Sequence, residues 1–176
     1  MAEKKKLDIK EILVVALSLF VICVVIAGAL AAVNAVTEEP IAANMAAEAD
    51  AARQEIFPGA RFEEHGGYFT AMDQNGAPLG YCVDSEAQGY GGVIKITVGL
   101  DPEGGILKVK VVSADGETPG LGQKVKEESF LQQFVGGRDA VQADSIASAT
   151  YSSRGVENAV NQALEIYKDQ IGGEAQ

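Results

Sequence analysis

The sequence predicts an α+β protein, in which one N-terminal transmembrane helix precedes a compact domain with an antiparallel sheet and a C-terminal helix. Three observations carry this prediction: an uncharged apolar run near the start, several short runs that alternate apolar and polar residues, and a final apolar stripe at helical spacing. Strands followed by helices are typical of the α+β class. A chain of 176 residues, less a membrane segment, is long enough to bury one sizeable core.

The apolar run, residues 12–33, is predicted to cross a membrane. Its 22 residues carry no charge, and as a helix they would span roughly 33 Å, enough for a hydrocarbon core of about 30 Å. A cleaved signal peptide is the alternative, since Ala-rich sequence near the end of the run resembles a processing site, but such apolar cores usually have only about 7–15 residues. Lysines precede the run and Glu38 and Glu39 follow it. The positive-inside rule then places the N-terminus in the cytoplasm and the main domain outside it.

The chain is accordingly divided into four segments. These are a cytoplasmic N-terminus (1–11), the transmembrane helix (12–33), a helical connector (34–58) and an extracytoplasmic domain (59–176). Within the connector, residues 41–56 are rich in Ala and Glu, and they predict a helix that Pro58 and Gly59 end.

Two hairpins are predicted at the start of the domain. The first joins residues 68–72 to residues 79–83 through the turn signal Asn75-Gly76. The second joins residues 93–98 to residues 106–112 through the turn Asp101-Pro102-Glu103-Gly104-Gly105. Lys and Thr alternate with Ile, Leu and Val in the second hairpin, so we expect an antiparallel pair with one face exposed to water.

Helices are predicted to complete the domain. Residues 122–134 indicate one or two short helices, and a longer one runs from about Arg154 to Ile171. Apolar residues lie on one stripe of the longer helix, namely Val156, Val160, Ala163, Leu164, Tyr167 and Ile171. Gly172-Gly173 would end this helix.

Composition excludes several classes of function. The net charge is −11, and residues beyond 11 hold ten basic against 22 acidic side chains. An acidic domain repels phosphate backbones, so nucleic-acid binding is excluded. Cys23 and Cys82 form neither a CxxC motif nor a cluster with the single histidine, His65. We therefore expect no metal site and no Ser–His–acid triad.

Two segments stand out as candidates for binding. Glu117-Thr118-Pro119-Gly120-Leu121-Gly122 offers a tight turn and open backbone N–H groups, although a simple connecting loop would have the same composition. The second segment, residues 144–153, is rich in hydroxyl groups and precedes the last helix. Ser152 or Ser153 as a helix cap would account for it without any ligand. A phosphate held by Thr150 would instead lie near unsatisfied helix N–H groups and the positive end of the helix dipole.

The anchor and the outer domain together resemble a known family, most strongly over residues 89–122 and 144–160. The family comprises the FMN-binding G subunits of Rnf-type ferredoxin:NAD oxidoreductases and the related C subunits of sodium-translocating NADH:quinone oxidoreductases. Its flavin-attachment pattern is Asp, two variable residues, Ser or Thr, Gly, Ala and Thr. Asp144, Ala149 and Thr150 match this pattern, whereas Ala147 and Ser148 depart from it.

The resemblance implies that FMN is covalently attached to Thr150 through a phosphodiester bond. It implies no catalytic residue in this chain. It also implies that residues of the 117–122 loop and of the start of the last helix contact FMN, namely Glu117, Thr118, Gly120, Leu121, Gly122, Ala149, Tyr151 and Ser152. Tyr151 is expected either to pack on the flavin ring or to lie in the core.

The implied function is electron relay within a membrane-bound Rnf-type complex that couples ferredoxin oxidation and NAD reduction to ion translocation. The short chain favours the G subunit over the longer C subunit. The implied partners are the other membrane and peripheral subunits and an FMN transferase that uses FAD. The alternatives are a standalone extracytoplasmic flavoprotein shuttle or reductase, and a ligand-binding module that has lost its flavin.

Overall fold

The computed structural model describes residues 9–172. Helix α1 (Ile9–Ile56) comes first, and the chain divides into two compact units between Asn44 and Met45. In the first unit, α1 is long and apolar enough to cross a membrane, as predicted. The predicted N-terminal segment lies mostly outside the described residues, as does Gly173.

Helix α1 continues through Pro40, whereas the sequence predicted a connecting helix confined to residues 41–56. Proline lacks the N–H that would bond to the carbonyl four residues earlier, so it removes one hydrogen bond. The Ala-rich turns that follow have high helix propensity, which allows the helix to resume its pattern. The end of α1 at Ile56, just before Phe57 and Pro58, agrees with the predicted stop.

The second unit contains a five-stranded antiparallel sheet in which each strand pairs with the next along the chain. The strands are β1 (Arg61–Glu64), β2 (Tyr68–Met72), β3 (Pro78–Gln88), β4 (Val93–Leu100) and β5 (Ile106–Ser113). Both predicted hairpins are confirmed, as the pairs β2–β3 and β4–β5. Strand β3 is twice as long as predicted, and β1 was not predicted at all.

Helix α3 (Thr150–Gln170) packs against β3 and β4 and forms the main core with them. Ile94, Ile96 and Val98 alternate along β4 and point to this face, and all are fully or almost fully buried. The predicted apolar stripe of α3 meets them, with Val156 and Val160 at its centre. Burial of side chains of this size contributes about 1.5–3 kcal/mol each, so this contact is the main source of the domain's stability.

The opposite face of the sheet is covered in part by the last turns of α1, so the predicted exposure to water is wrong there and holds only at positions such as Lys95, whose side chain is 42% exposed. Thr97 is fully buried there and donates a hydrogen bond of 2.6 Å to Asp84. Arg53, from the last turns of α1, forms a 3.1 Å ion pair with Asp84 and lies 3.7 Å from the centre of the Phe69 ring. At Thr97 and Asp84, therefore, the polar residues of β4 and β3 face a helix with a buried arginine.

Short helical turns connect β5 to α3. A 3₁₀ turn (Gly122–Lys126), helix α2 (Glu128–Leu131) and a second 3₁₀ turn (Gln132–Phe134) follow one another, where the sequence predicted one or two short helices. Phe130 and Phe134 are buried and meet edge to face at 5.6 Å. These turns return the chain to the end of the sheet where α3 begins.

Helix α3 begins at Thr150, four residues earlier than predicted, and the proposed serine caps are wrong. Ala149 occupies the N-cap position, and no side chain caps the helix there. The hydroxyl of Ser153 accepts a hydrogen bond of 3.0 Å from the Ile146 N–H and donates one of 3.0 Å to the Ala149 carbonyl. Ser152 and Ser153 therefore lie inside the first turn, where their hydroxyls tie the helix to neighbouring segments.

Candidate cofactor-binding site

The two candidate segments of the sequence meet at a cavity of about 290 Å³. Seven of the nine residues proposed for binding line it, namely Thr118, Leu121, Gly122, Ala149, Thr150, Tyr151 and Ser152. Tyr90 and Ser148 also line it and were not proposed. The cavity lies between the loop after β5 and the first turn of α3, so it exists only because these elements pack together.

Thr150 is the first residue of α3 and is exposed to solvent. The first N–H groups of a helix have no carbonyl partner within it, and the Ala149 N-cap supplies none from a side chain. The 21-residue length of α3 gives its start a developed positive dipole end. A hydroxyl, open N–H groups and a positive dipole meet at one point, which is the arrangement that holds a phosphate.

Ser148 has a φ of 64°, in the left-handed region that a non-glycine residue rarely adopts. It lies in a tight turn closed by the 2.9 Å hydrogen bond from the Ala149 N–H to the Ile146 carbonyl. In the attachment pattern this position is Gly, which reaches such a φ without strain. The departure from the pattern at Ser148 therefore has a structural cost at the turn that presents Thr150.

Tyr90 and Tyr151 stand at the mouth of the cavity. Each is 70% exposed, and their ring centres are 6.4 Å apart with the rings tilted by 48°. Exposed aromatic rings beside a cavity are suited to packing on a planar ligand. The exposure of Tyr151 excludes the alternative core role. Tyr90 lies between Gly89 and the pair Gly91-Gly92. An aromatic residue isolated among glycines was the one feature of the sequence that could have indicated Tyr90 as a binding residue.

Glu117 and Gly120 do not line the cavity, although both were proposed to bind. Gly120 has a φ of 72° and forms the turn of the loop. Glu117 is only 1% exposed, and it accepts a 3.1 Å hydrogen bond from the Gly91 N–H and a close one from the Ser152 hydroxyl. It therefore connects the three segments that form the cavity.

Gly122 lets the loop approach this carboxylate closely. A Cβ at Gly122 would lie 2.8 Å from both Glu117 Oε2 and Ser152 Oγ, which is shorter than real Cβ contacts. The glycine at this position is thus required by packing against the buried hydrogen bond.

A larger groove of about 360 Å³ lies on the other face of the sheet, lined by Arg53, Asp84, Glu86 and Lys95 among others. Its charged groups pair with one another, as Arg53 with Asp84 and as Lys95 with Glu86 at 3.6 Å. Among residues 9–172, no group of three or more His, Cys, Asp or Glu side chains could hold a metal ion. The cavity beside Thr150 therefore remains the candidate site.

The fold and this cavity define a protein with one helix able to cross a membrane and a domain whose cavity is suited to a cofactor. Residues 89–165 match the family described as FMN-binding domain, and residues 1–56 match the RnfG N-terminal region. The two matches do not overlap, and together they leave only residues 57–88 and 166–176 unmatched. Over residues 89–165 the chain is thus similar to FMN-binding domains, and over residues 1–56 it is similar to the N-terminal region of RnfG.

Relatives over nearly the whole length are G subunits. The G subunit of the ion-translocating oxidoreductase complex of Methanosarcina acetivorans is 28% identical, over 94% of this chain and 99% of its own. The G subunit of the Na(+)-translocating ferredoxin:NAD(+) oxidoreductase complex of Acetobacterium woodii is 28% identical, over 95% and 97%. The proton-translocating counterpart of Clostridium ljungdahlii is 31% identical over 58% of this chain and 61% of its own.

A solved structure confirms the fold. The crystal structure of Shewanella oneidensis NqrC superposes with a TM-score of 0.51 and 23% sequence identity, covering 60% of each chain. At this identity the likeness supports the α+β architecture with its antiparallel sheet and C-terminal helix.

Proposed function

We propose that this chain is the FMN-carrying G subunit of an Rnf-type complex, and that it relays electrons between other subunits. The complex would couple ferredoxin oxidation and NAD reduction to ion translocation. The observation that carries the proposal is the cavity at the start of α3, which lies within the FMN-binding domain match and has the exposed Thr150 hydroxyl at its edge. The full-length relatives, both G subunits, support this assignment.

Thr150 is proposed as the tether of FMN rather than as a catalytic group. In maturation, an FMN transferase would use FAD: a bond forms between Thr150 Oγ and the phosphorus of the FMN half, the bond between the two phosphates breaks, and AMP leaves. The hydroxyl proton passes to a base of the transferase. The free N–H groups of the first turn of α3 would then stabilise the phosphodiester.

The remaining cavity residues are suited to hold the flavin ring. Tyr90 and Tyr151 offer aromatic faces, and the Thr118–Gly122 loop offers a polar side chain and Leu121. FMN supplies the one- and two-electron chemistry, and the protein fixes its place and environment. A covalent tether would also prevent loss of the cofactor from a domain outside the cytoplasm.

This chain is proposed to perform only part of the complex's reaction. The 12–33 segment carries no charged residue and offers no ion path by itself. The other membrane and peripheral subunits are thus proposed to supply ion translocation, ferredoxin binding and NAD reduction. The lysines before the span support a flavin domain outside the cytoplasm, as the positive-inside rule would predict.

The proposal is tested by mass spectrometry of the denatured full-length protein, produced together with an FMN transferase. We expect an FMN-phosphoryl mass on the peptide containing Thr150, and its loss in Thr150→Ala. Thr150→Ser should retain it, because the hydroxyl is kept at the same helix position. Ser145→Ala is the matched control, since it removes an exposed hydroxyl of the same segment that does not line the cavity, and it should leave the attachment in place. An unmodified Thr150 peptide from cells with active transferase would refute the proposal.

A further inference from the structure

Glu117 is a buried carboxylate that the proposed attachment of FMN does not itself require. It is 1% exposed and does not line the cavity. Glutamate is almost never fully buried unless its charge is compensated. The contacts of this side chain therefore need an explanation beyond packing.

Both oxygens of Glu117 accept hydrogen bonds. Oε1 accepts from the Gly91 N–H at 3.1 Å, and Oε2 accepts from the Ser152 hydroxyl. A carboxyl group that accepts on both oxygens and donates to none has the hydrogen-bonding pattern of the ionised form. Among residues 9–172, no Lys, Arg or His nitrogen lies within 4.0 Å of this carboxylate. The negative charge is thus stabilised by dipoles and not neutralised by a cation.

The Glu117 carboxylate contacts residues that line the cavity. Ser152, its hydrogen-bond donor, lines the cavity two residues after Thr150. Gly91, the other donor, follows the cavity residue Tyr90. Gly122 also lines the cavity, and a Cβ on it would lie 2.8 Å from Glu117 Oε2. One layer of small residues therefore separates the carboxylate from the cavity.

We propose that Glu117 is a positioning residue that holds a fixed negative charge behind the flavin site and thereby lowers the reduction potential of the bound FMN. This inference rests on the proposed function. Reduction adds electrons to the flavin ring, and a buried negative charge nearby opposes that addition. The interaction is weakly screened, because the carboxylate is buried and only small residues lie between it and the cavity. The same carboxylate links the loop that carries Tyr90 to the first turn of α3. The charge is therefore held at a fixed distance from the residues that line the cavity.

The test is potentiometric titration of the FMN-loaded, full-length protein in detergent, comparing Glu117→Gln with wild type. Glutamine keeps the shape and an acceptor for the Gly91 N–H, but it removes the charge. We expect the ratio of reduced to oxidised flavin at a given potential to rise about tenfold, which is about 30 mV for a two-electron couple. Asp115→Asn is the matched control, because Asp115 lies two residues earlier and its side chain is 77% exposed. Water screens that charge, so its removal should change the ratio by less than about twofold.

Attachment is measured separately by the mass of the Thr150 peptide. Failure of the proposed function is therefore distinguished from failure of the role assigned to Glu117. An unloaded wild type would refute attachment at Thr150. A loaded Glu117→Gln protein with the wild-type potential would overturn the assignment of Glu117. A folded but unloaded Glu117→Gln protein would also overturn it, because the charge would then serve attachment. If Glu117→Gln does not fold, Glu117→Ala replaces it, because it removes the same charge and leaves room for water to bond to the Gly91 N–H and the Ser152 hydroxyl. The reduced fraction should again rise, and an unchanged or lower fraction would refute the inference.

Discussion

Replacement of Arg53 by Ala is expected to destabilise the domain strongly, although Arg53 lies on the face opposite the cavity. Its side chain is 7% exposed, pairs with Asp84 at 3.1 Å, and lies 3.7 Å from the centre of the Phe69 ring. Loss of the cation–π contact costs about 1 kcal/mol. Loss of the ion pair costs about another 1 kcal/mol, since the Asp84 side chain is 37% exposed and regains water. Loss of the packed aliphatic stem adds about 1 kcal/mol.

The summed loss of about 3 kcal/mol in the free energy of unfolding should lower the Tm by roughly 10 °C for a domain of this size. Differential scanning calorimetry of the full-length protein in detergent measures this change. Arg138→Ala is the control, because Arg138 is 55% exposed and its ion pairs with Glu103 and Asp101 lie at the surface. We expect a loss below about 1 kcal/mol for it. An Arg53→Ala protein as stable as Arg138→Ala would refute the conclusion that α1 covers this face of the sheet.

Three further predictions concern single positions. Gly122→Ala should lower both the Tm and the fraction of protein carrying FMN, because its Cβ would lie 2.8 Å from two oxygens; full loading measured by absorbance per chain would contradict the role of that close approach. Ser148→Gly should raise the free energy of unfolding by about 1 kcal/mol, since Gly adopts a φ of 64° without strain, and denaturant titration checks the sign. Burial, with a smaller effect of a nearby carboxylate, raises the pKa of the Cys82 thiol to about 12. In a Cys23→Ser background, Cys82 should therefore resist alkylation at pH 8 until the protein unfolds. The free energy of unfolding should fall as the pH rises from 9.0, the ordinary pKa of the thiol, towards 12, because the thiol then ionises only in the unfolded protein. Rapid labelling of the folded protein would show that the thiol is accessible.

The parts of the fold that the sequence predicted are those set by local pattern. The Asn75-Gly76 turn and the alternation in residues 93–98 and 106–112 depend on neighbours only a few residues away. Strand β1 (Arg61–Glu64) was missed because its short, charged sequence has no strand pattern and is paired by β2 alone at the edge of the sheet. The covering of the sheet by the end of α1 was missed for a related reason, since Arg53 and Asp84 are brought together only by the tertiary fold.

The candidate site was predicted in part. The Glu117–Gly122 loop and the residues around Thr150 were proposed from the resemblance, and the structure brings them to one cavity. The sequence does not predict that Glu117 is buried or that Tyr90 lines the cavity. Both features depend on the packing of the Gly89–Gly92 turn against the start of α3. The start of α3 was placed too late because Ser152 and Ser153 suggested caps, whereas their hydroxyls bond to Glu117 and to residues of the preceding turn.

The order of the elements along the chain also limits when the proposed attachment of FMN could take place during synthesis. Strands β3 and β4 leave the ribosome well before α3, and until α3 arrives the apolar face around Ile96 has no cover. Thr150 itself belongs to this last helix. Under the attachment proposed above, a transferase would meet a finished acceptor only after translation of the domain has ended, so flavin attachment would report that the whole domain has folded.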